Sequence, residues 1–189
     1  MTLTVASWNV NSIKARLPNV LAWLEEAKPD VVCLQEIKTV DEGFPRMEIE
    51  ALGYNIETHG QKSYHGVAML SRYPFEEVEA RLPGDDDDEQ ARYLEAVIAA
   101  PEGPVRIATI YLPNGNPSPG PKYDYKLAWM ERLRVHAQML LTYEEPLILA
   151  GDYNVIPGDA DVWDPARWEG DALTRPQSRA AFNALKWLG

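Results

Sequence analysis

Apolar positions along this chain follow two rhythms, and together they predict most of its elements. Leu17, Val20, Leu21 and Leu24 recur at i, i+3, i+4 and i+7, which is one face of an amphipathic helix. Short apolar runs flank it, Leu3 to Trp8 before and Val31 to Gln35 after the break at Pro29-Asp30, so the first segment predicts a β-α-β unit. A short helix around Met47 to Leu52 repeats the pattern less clearly. Runs around Tyr54 to Glu57, Val67 to Leu70, Tyr93 to Ala99 and Val105 to Tyr111 lie too close together for long helices between them. They predict an antiparallel meander joined by loops. A long helix is predicted over about Tyr125 to Thr142, with Leu127, Met130, Leu133, Ala137, Leu140 and Leu141 on its apolar side. Leu147 to Ala150 then reads as a buried strand that stops at Gly151. A Pro- and Trp-rich loop, Ile156 to Trp168, precedes a last helix near Gln177 to Leu188. The expected class is α/β or α+β, with helices layered on mixed sheet in one domain covering residues 1–189.

Composition narrows the function more than the fold. A chain of 189 residues can bury a sizeable core. No apolar run reaches the length of a membrane span and no basic-then-apolar leader opens the chain, so no membrane partner is expected. The one cysteine, Cys33, sits inside an apolar strand; a buried free thiol suits a reducing compartment and a cytoplasmic protein. Net charge is −11, which argues against a nonspecific polyanion binder that works by long-range attraction. It leaves room for a nuclease with an acidic metal site and a local basic rim. The run Asp85 to Glu89 reads as a solvated, self-repelling loop.

Polar residues at strand ends carry the candidate chemistry. Ala6-Ser7-Trp8-Asn9-Val10-Asn11 closes the first strand, Val31-Val32-Cys33-Leu34-Gln35-Glu36 the second, and Leu149-Ala150-Gly151-Asp152-Tyr153-Asn154 a later one. Three strands thus deliver Asn, Asp or Glu at the carboxyl end, where ligand chemistry gathers in open α/β sheets. A hard divalent cation takes one or two carboxylates plus waters and phosphate oxygens. Glu36 is the best single ligand candidate. Asp152 can ligate the metal or act as a base toward water. Asn9 and Asn154 can hold a carboxylate, the metal or a phosphate oxygen without adding repulsion. That division suits phosphodiester hydrolysis, although the same residues also serve as strand caps and turn formers.

Other positions read less sharply. Tyr111 ends a strand before Leu112-Pro113-Asn114-Gly115; its phenol can donate to a phosphate or leaving oxygen, or be a half-buried strand aromatic. His136 shares a helix face with Trp129, Leu133 and Leu140 and reads as packed, while His59 and His65 read as loop residues. Arg92, Lys122, Lys126, Arg132 and Arg134 can reach phosphate, with surface solvation as the default. Asp159, Asp161 and Asp164 do not make a calcium loop, because the required glycine is missing and Pro165 follows. No Walker loop, zinc spacing or serine-nucleophile elbow occurs.

These segments, with Arg16, Ile37-Lys38, Leu52-Gly53-Tyr54, His65-Gly66-Val67-Ala68, Tyr111 to Gly115 and the loop Asp159 to Gly170, resemble the exonuclease III family of apurinic/apyrimidinic endonucleases over nearly the whole chain. The resemblance implies a two-sheet, four-layer sandwich of the deoxyribonuclease I type. It implies Mg²⁺, with Mn²⁺ as the alternative, and double-stranded DNA with abasic sites or 3′ ends as partner. Asn9 and Glu36 match the family's metal-site residues, Tyr111 its active-site tyrosine, Asp152 the acid that activates water, and Asn154 the amide that supports the transition state. Arg92 and Asn114 match DNA-contacting positions. Family members carry more strands beyond a helix like the last one here, with another aspartate and an Asp-His pair that has no match in this chain. The expectation is a truncated member with an incomplete second sheet and impaired activity, seeking a complementing chain or a swapped dimer. Rival readings are a fragment with no enzymatic role, and a relative acting on RNA or phosphoinositides.

Overall fold

The computed structural model describes residues 2–188. They form two compact units, one running up to Tyr111 and including Glu145–Asp152, the other made of Leu112–Glu144 and the residues from Tyr153 on.

The first unit holds both sheets. Strand β1 (Val5–Asn9), helix α1 (Ile13–Ala27) and strand β2 (Val31–Gln35) are the predicted β-α-β unit, and β1 and β2 pair in parallel with Asn9 opposite Gln35. Ser12 caps α1 by accepting from the Ala15 N–H, and Lys28 closes it in a left-handed conformation. Helix α2 (Arg46–Glu50) leads into β3 (Asn55–His59) and β4 (Val67–Ser71), which complete a sheet ordered β1-β2-β4-β3. The second sheet, ordered β5-β6-β7-β8, consists of β5 (Phe75–Glu79), β6 (Tyr93–Ala100), β7 (Gly103–Tyr111) and β8 (Leu147–Asp152). The fold class is therefore mixed α/β with two four-stranded sheets.

Strands β2 and β4 are buried on both faces, which is why they read as continuous apolar runs rather than alternations. Val32 and Leu34 turn toward Val20, Leu24 and Ile49 of the helices. Val31 and Cys33 turn the other way and pack with Met69, Leu94, Ala96, Ile98 and Ile107 in the core between the sheets. Cys33 is a buried free thiol, as expected. On the opposite face of the second sheet, Arg106 of β7 binds Glu95 of β6 and Glu77 of β5 at 2.8 Å each, and Glu145 at 3.1 Å. Glu95 is 3% exposed and also accepts from the Tyr93 hydroxyl. A buried carboxylate requires such partners.

The structure corrects the sequence reading in four places. The meander is split, because β3 and β4 belong to one sheet and β6 and β7 to the other. Strand β5 was not anticipated: Phe75-Glu76-Glu77-Val78-Glu79 is mostly charged, as suits a strand at a sheet edge. His59 ends β3 rather than lying in a loop. The strand after Pro146 also does not stop at glycine but runs through Gly151 to Asp152, in parallel register with Ile110 and Tyr111.

The second unit holds helices α3 (Pro121–Leu141) and α4 (Pro176–Lys186), with 3-10 turns at Asp159–Asp161 and Pro165–Trp168. Trp129, Met130, Leu133, His136, Ala137 and Leu140 are buried along α3, so His136 is the packed helix histidine expected. The Tyr123 hydroxyl and Ser178 Oγ lie 3.1 Å apart and tie α3 to α4.

Candidate active site

Four strand ends of the first unit meet at one corner. Strand β1 ends at Asn9, β2 immediately before Glu36, β7 at Tyr111 and β8 at Asp152. The Asn9 amide nitrogen donates to Glu36 Oε1 and to Asp152 Oδ2, each at 2.8 Å. A carboxamide has two N–H bonds, so both are engaged in joining the two carboxylates. The Asn9 oxygen points away and accepts from the Asn11 N–H at 3.1 Å. The Tyr111 hydroxyl is hydrogen-bonded to Glu36. Lys38 lies 2.9 Å from the other Glu36 oxygen and donates to Asn11 Oδ1 at 2.5 Å.

The backbone beneath these groups is unusual. Asn11, Ser12, Glu36 and Lys38 all have positive φ, of 43°, 88°, 54° and 53°. Asparagine visits this region readily, but Glu and Lys do so at a cost of about 1–3 kcal/mol each. Such strain persists where surrounding structure imposes it. Here it turns Glu36 and Lys38 into the same corner as Asn9.

Burial raises the Glu36 carboxyl's affinity for a proton, but bonds from Asn9, Lys38 and Tyr111 outweigh it and hold the group below its ordinary range. Burial, and then the Glu36 charge, push the Tyr111 phenol up to about 12. At neutral pH the pair is thus a carboxylate and a protonated phenol. The Arg92 guanidinium stacks 4.8 Å above the Tyr111 ring and donates to the Tyr111 carbonyl at 3.1 Å.

Among the described residues no three His, Cys, Asp or Glu side chains gather as a metal cluster. The donor set of two carboxylates joined by an amide fits a hard cation that keeps most of its waters, not a zinc-type ion. Glu36 is the group that would hold it, which leaves Asp152 to act on water.

The second unit has its own amide pair. Asn114 donates to Asn154 Oδ1 at 3.3 Å, and Asn154 donates to the Leu112 carbonyl at 2.9 Å. Asn154 too has positive φ, 45°. Lys126, wholly buried, donates to the backbone carbonyls of both Asn114 and Asn154. Asn114 also accepts from the Asn116 N–H, and Asn116 in turn bonds Asp171. Of the sequence candidates, Asn9, Glu36, Tyr111, Asp152 and Arg92 come together in the first unit, and Asn114 and Asn154 in the second.

The endonuclease/exonuclease/phosphatase family model matches residues 6–188. The chain belongs to this family. Among curated relatives of the family, it is 32% identical to exodeoxyribonuclease III of Haemophilus influenzae, over 95% of this chain and 70% of that protein. It is 29% identical to an exodeoxyribonuclease of Bacillus subtilis, over 99% of this chain and 72% of the relative. Among solved structures, it superposes on an AP endonuclease from Archaeoglobus fulgidus with a TM-score of 0.92 at 34% identity, covering all of this chain and 71% of that one. A Neisseria 3′ phosphatase bound to product DNA hairpin gives 0.94 at 34% identity, covering all of this chain and 72% of the other.

Within this family member, the sequence default misjudged two cations. Arg92 is 7% exposed and Lys126 is fully buried, so the default of surface solvation fails for both. Each has the carbonyls that a buried cation needs. Lys38 entered only as part of the family motif, and its bond to Glu36 depends on a φ that no residue pattern signals. His65 is the loop residue expected, and it also bonds Arg92 at 2.9 Å.

Proposed function

We propose that this chain is a Mg²⁺-dependent phosphodiesterase of DNA repair, which incises beside abasic sites and removes nucleotides or blocking groups from 3′ ends. Membership of a family of nucleases and phosphatases supports the hydrolase class. The observation that carries the finer reading is the amide of Asn9 joining Glu36 and Asp152 beside Tyr111.

A cation held at Glu36 supplies positive charge that offsets the phosphoryl oxygens. The chain's own groups do the rest. Asn9 fixes the Asp152 carboxylate, which accepts a proton from the attacking water as that oxygen bonds to phosphorus. The P–O bond to the leaving alcohol breaks on the opposite side. Tyr111, protonated at neutral pH, would turn its one hydrogen from Glu36 to a phosphate or leaving oxygen. Arg92 caps the Tyr111 ring and brings positive charge toward the phosphate backbone. On the second unit, Asn114 and Asn154 form an amide pair that can itself contact a phosphate oxygen.

The test is a duplex carrying one abasic site, incubated with Mg²⁺ and then with chelator. Cleavage is expected to stop in chelator and in Glu36→Ala. Cleavage indifferent to both overturns the metal mechanism. Equal turnover of RNA or phosphoinositides overturns the DNA assignment.

A further inference from the structure

His65 lies outside the constellation described so far, yet it connects two sides of it. The loop Gly60 to Gly66 links the end of β3 to the start of β4. Its His65 carbonyl accepts from the Lys38 N–H and its Gly66 carbonyl from the Ile37 N–H, each at 3.1 Å, while the Gly66 N–H donates to the Ala91 carbonyl at 2.9 Å. The loop is thus sewn both to the residues after Glu36 and to the residues before Arg92. His65 itself has φ 57°, and a Cβ on the neighbouring Gly66 would sit 2.6 Å from Ile37. The backbone here is held tightly enough to aim the imidazole.

The hydrogen bonds around that ring admit one arrangement. Arg92 Nη2 lies 2.9 Å from His65 Nε2, and a guanidinium can only donate, so Nε2 carries the lone pair. Nδ1 therefore carries the proton. It lies 2.8 Å from Gln61 Oε1, which also accepts from the Ala91 N–H at 3.2 Å. An amide N–H cannot accept, so the Gln61 atom facing both groups must be its oxygen. Each assignment requires the next.

On the far side, Arg92 is fixed by three more interactions. Its Nε donates to Gln90 Oε1 at 2.7 Å, its Nη1 donates to the Tyr111 carbonyl at 3.1 Å, and its central carbon lies over the Tyr111 ring, 4.8 Å from the centroid. The His65 ring itself approaches Tyr111, with centroids 6.1 Å apart. A continuous chain thus runs Gln61, His65, Arg92, Tyr111, Glu36, Asn9, Asp152.

We propose that His65 is a positioning residue of the phosphodiesterase site: locked by Gln61 as its Nδ1–H tautomer, it accepts from Arg92 and holds the guanidinium over Tyr111. It touches neither water nor phosphate in this role, and it acts through Arg92 and Tyr111. The charged groups around it are Arg92, Glu36 and Asp88. Burial first, and then Arg92, hold the imidazole neutral down to about pH 4, against the opposing pull of Glu36 and Asp88. An acceptor nitrogen is therefore present across the working range.

The inference rests on the phosphodiesterase reading, so its test has one arm that needs no turnover. Long-range ¹⁵N–¹H spectra of the full chain, without added metal, distinguish the tautomers of three histidines, and His65→Gln assigns the His65 signals. The Nδ1–H form is expected for His65, whereas free neutral histidine prefers the other. The second arm compares two amides at this position. In His65→Gln the amide oxygen reaches the place of Nε2, while in His65→Asn it reaches only that of Nδ1. Asparagine also tolerates positive φ, so its loss is not a loss of backbone conformation. On the abasic duplex, His65→Asn is expected to lower kcat/KM about tenfold, the size of losing one bond to a charged donor, with His65→Gln within about threefold of the parent. An Nε2–H tautomer, or equal kcat/KM in the two variants, overturns the proposal. If the parent cleaves no nucleic acid while the Nδ1–H tautomer is found, the phosphodiesterase reading falls and the hydrogen-bonded chain stands.

Discussion

Gly151 is where strand geometry most directly constrains the site. It is the penultimate residue of β8, paired in parallel with Ile110 and followed by Asp152 opposite Tyr111. A Cβ placed there would lie 2.0 Å from the Ile110 carbonyl oxygen and 2.7 Å from its nitrogen. Both are backbone atoms, so no side chain can swing aside. To restore ordinary contact near 3.4 Å the strands must separate by about 1.4 Å. Gly151 also has φ 153°, a conformation that favours glycine. Overpacking costs about 1–3 kcal/mol and strained φ a similar amount, so Gly151→Ala is expected to lose about 3–5 kcal/mol. Gly103→Ala is the control. That glycine also has positive φ, 127°, but nothing lies within 4 Å of its added Cβ, so only backbone strain is imposed. In urea the two variants should differ in midpoint by about 1 M, at a slope of about 2 kcal/mol per M. Because Asp152 is attached to the displaced strand, turnover of the abasic duplex should fall about 100-fold, the usual effect of a 1 Å misplacement. A Gly151→Ala protein within about 0.5 kcal/mol of Gly103→Ala, and fully active, would refute the reasoning.

Three other outcomes are expected. Arg106→Met leaves the buried Glu95 carboxylate without its cation and should cost about 3–5 kcal/mol in a denaturant titration; a loss below about 1 would show that the Tyr93 hydroxyl suffices. Tyr111→Phe removes one of the bonds that lower the Glu36 pKa. A depressed carboxylate contributes stability that is lost as pH falls from its unfolded to its folded pKa, so in chelator the acid loss should be smaller and end at a higher pH in this variant. For His65, whose pKa falls from 6.5 to about 4, the unfolded chain binds the extra proton inside that window. Stability should therefore drop as pH falls through it. The full shift corresponds to about 3 kcal/mol, and half exposure reduces this to about 1–2. His65→Gln should flatten that segment of the curve, and an unchanged slope would contradict the neutral, buried imidazole.

What the sequence disclosed follows from burial. Strands β2 and β4, buried on both faces, announce themselves as unbroken apolar runs, and α1 as a 3.6-residue period. Strand β5 could not be seen this way, since its glutamates face solvent or Arg106 rather than a core. The division of β3, β4, β6 and β7 between two sheets was also hidden, because both sheets offer the same alternation to a linear reading. At the site, Asn9, Glu36, Tyr111 and Asp152 stood out as polar residues following apolar runs. Lys126 did not, because charged residues on helices are usually solvated and nothing local reveals two backbone carbonyls waiting for it. His65 was hidden for a different reason. Its importance lies in which nitrogen is protonated, and that is decided by Arg92 and Gln61 across the fold.

The Asn9 amide has a consequence for how the corner behaves before any ion arrives. Glu36 and Asp152 are like charges that, left alone, would drive their strand ends apart. By giving one hydrogen to each, Asn9 acts as a neutral stand-in for a cation and keeps both carboxylates 2.8 Å from its nitrogen. A cation held at Glu36 would therefore meet carboxylates already set in place instead of an open jaw. Chelation should therefore silence the proposed activity while leaving the Asn9 bonds to both carboxylates in place.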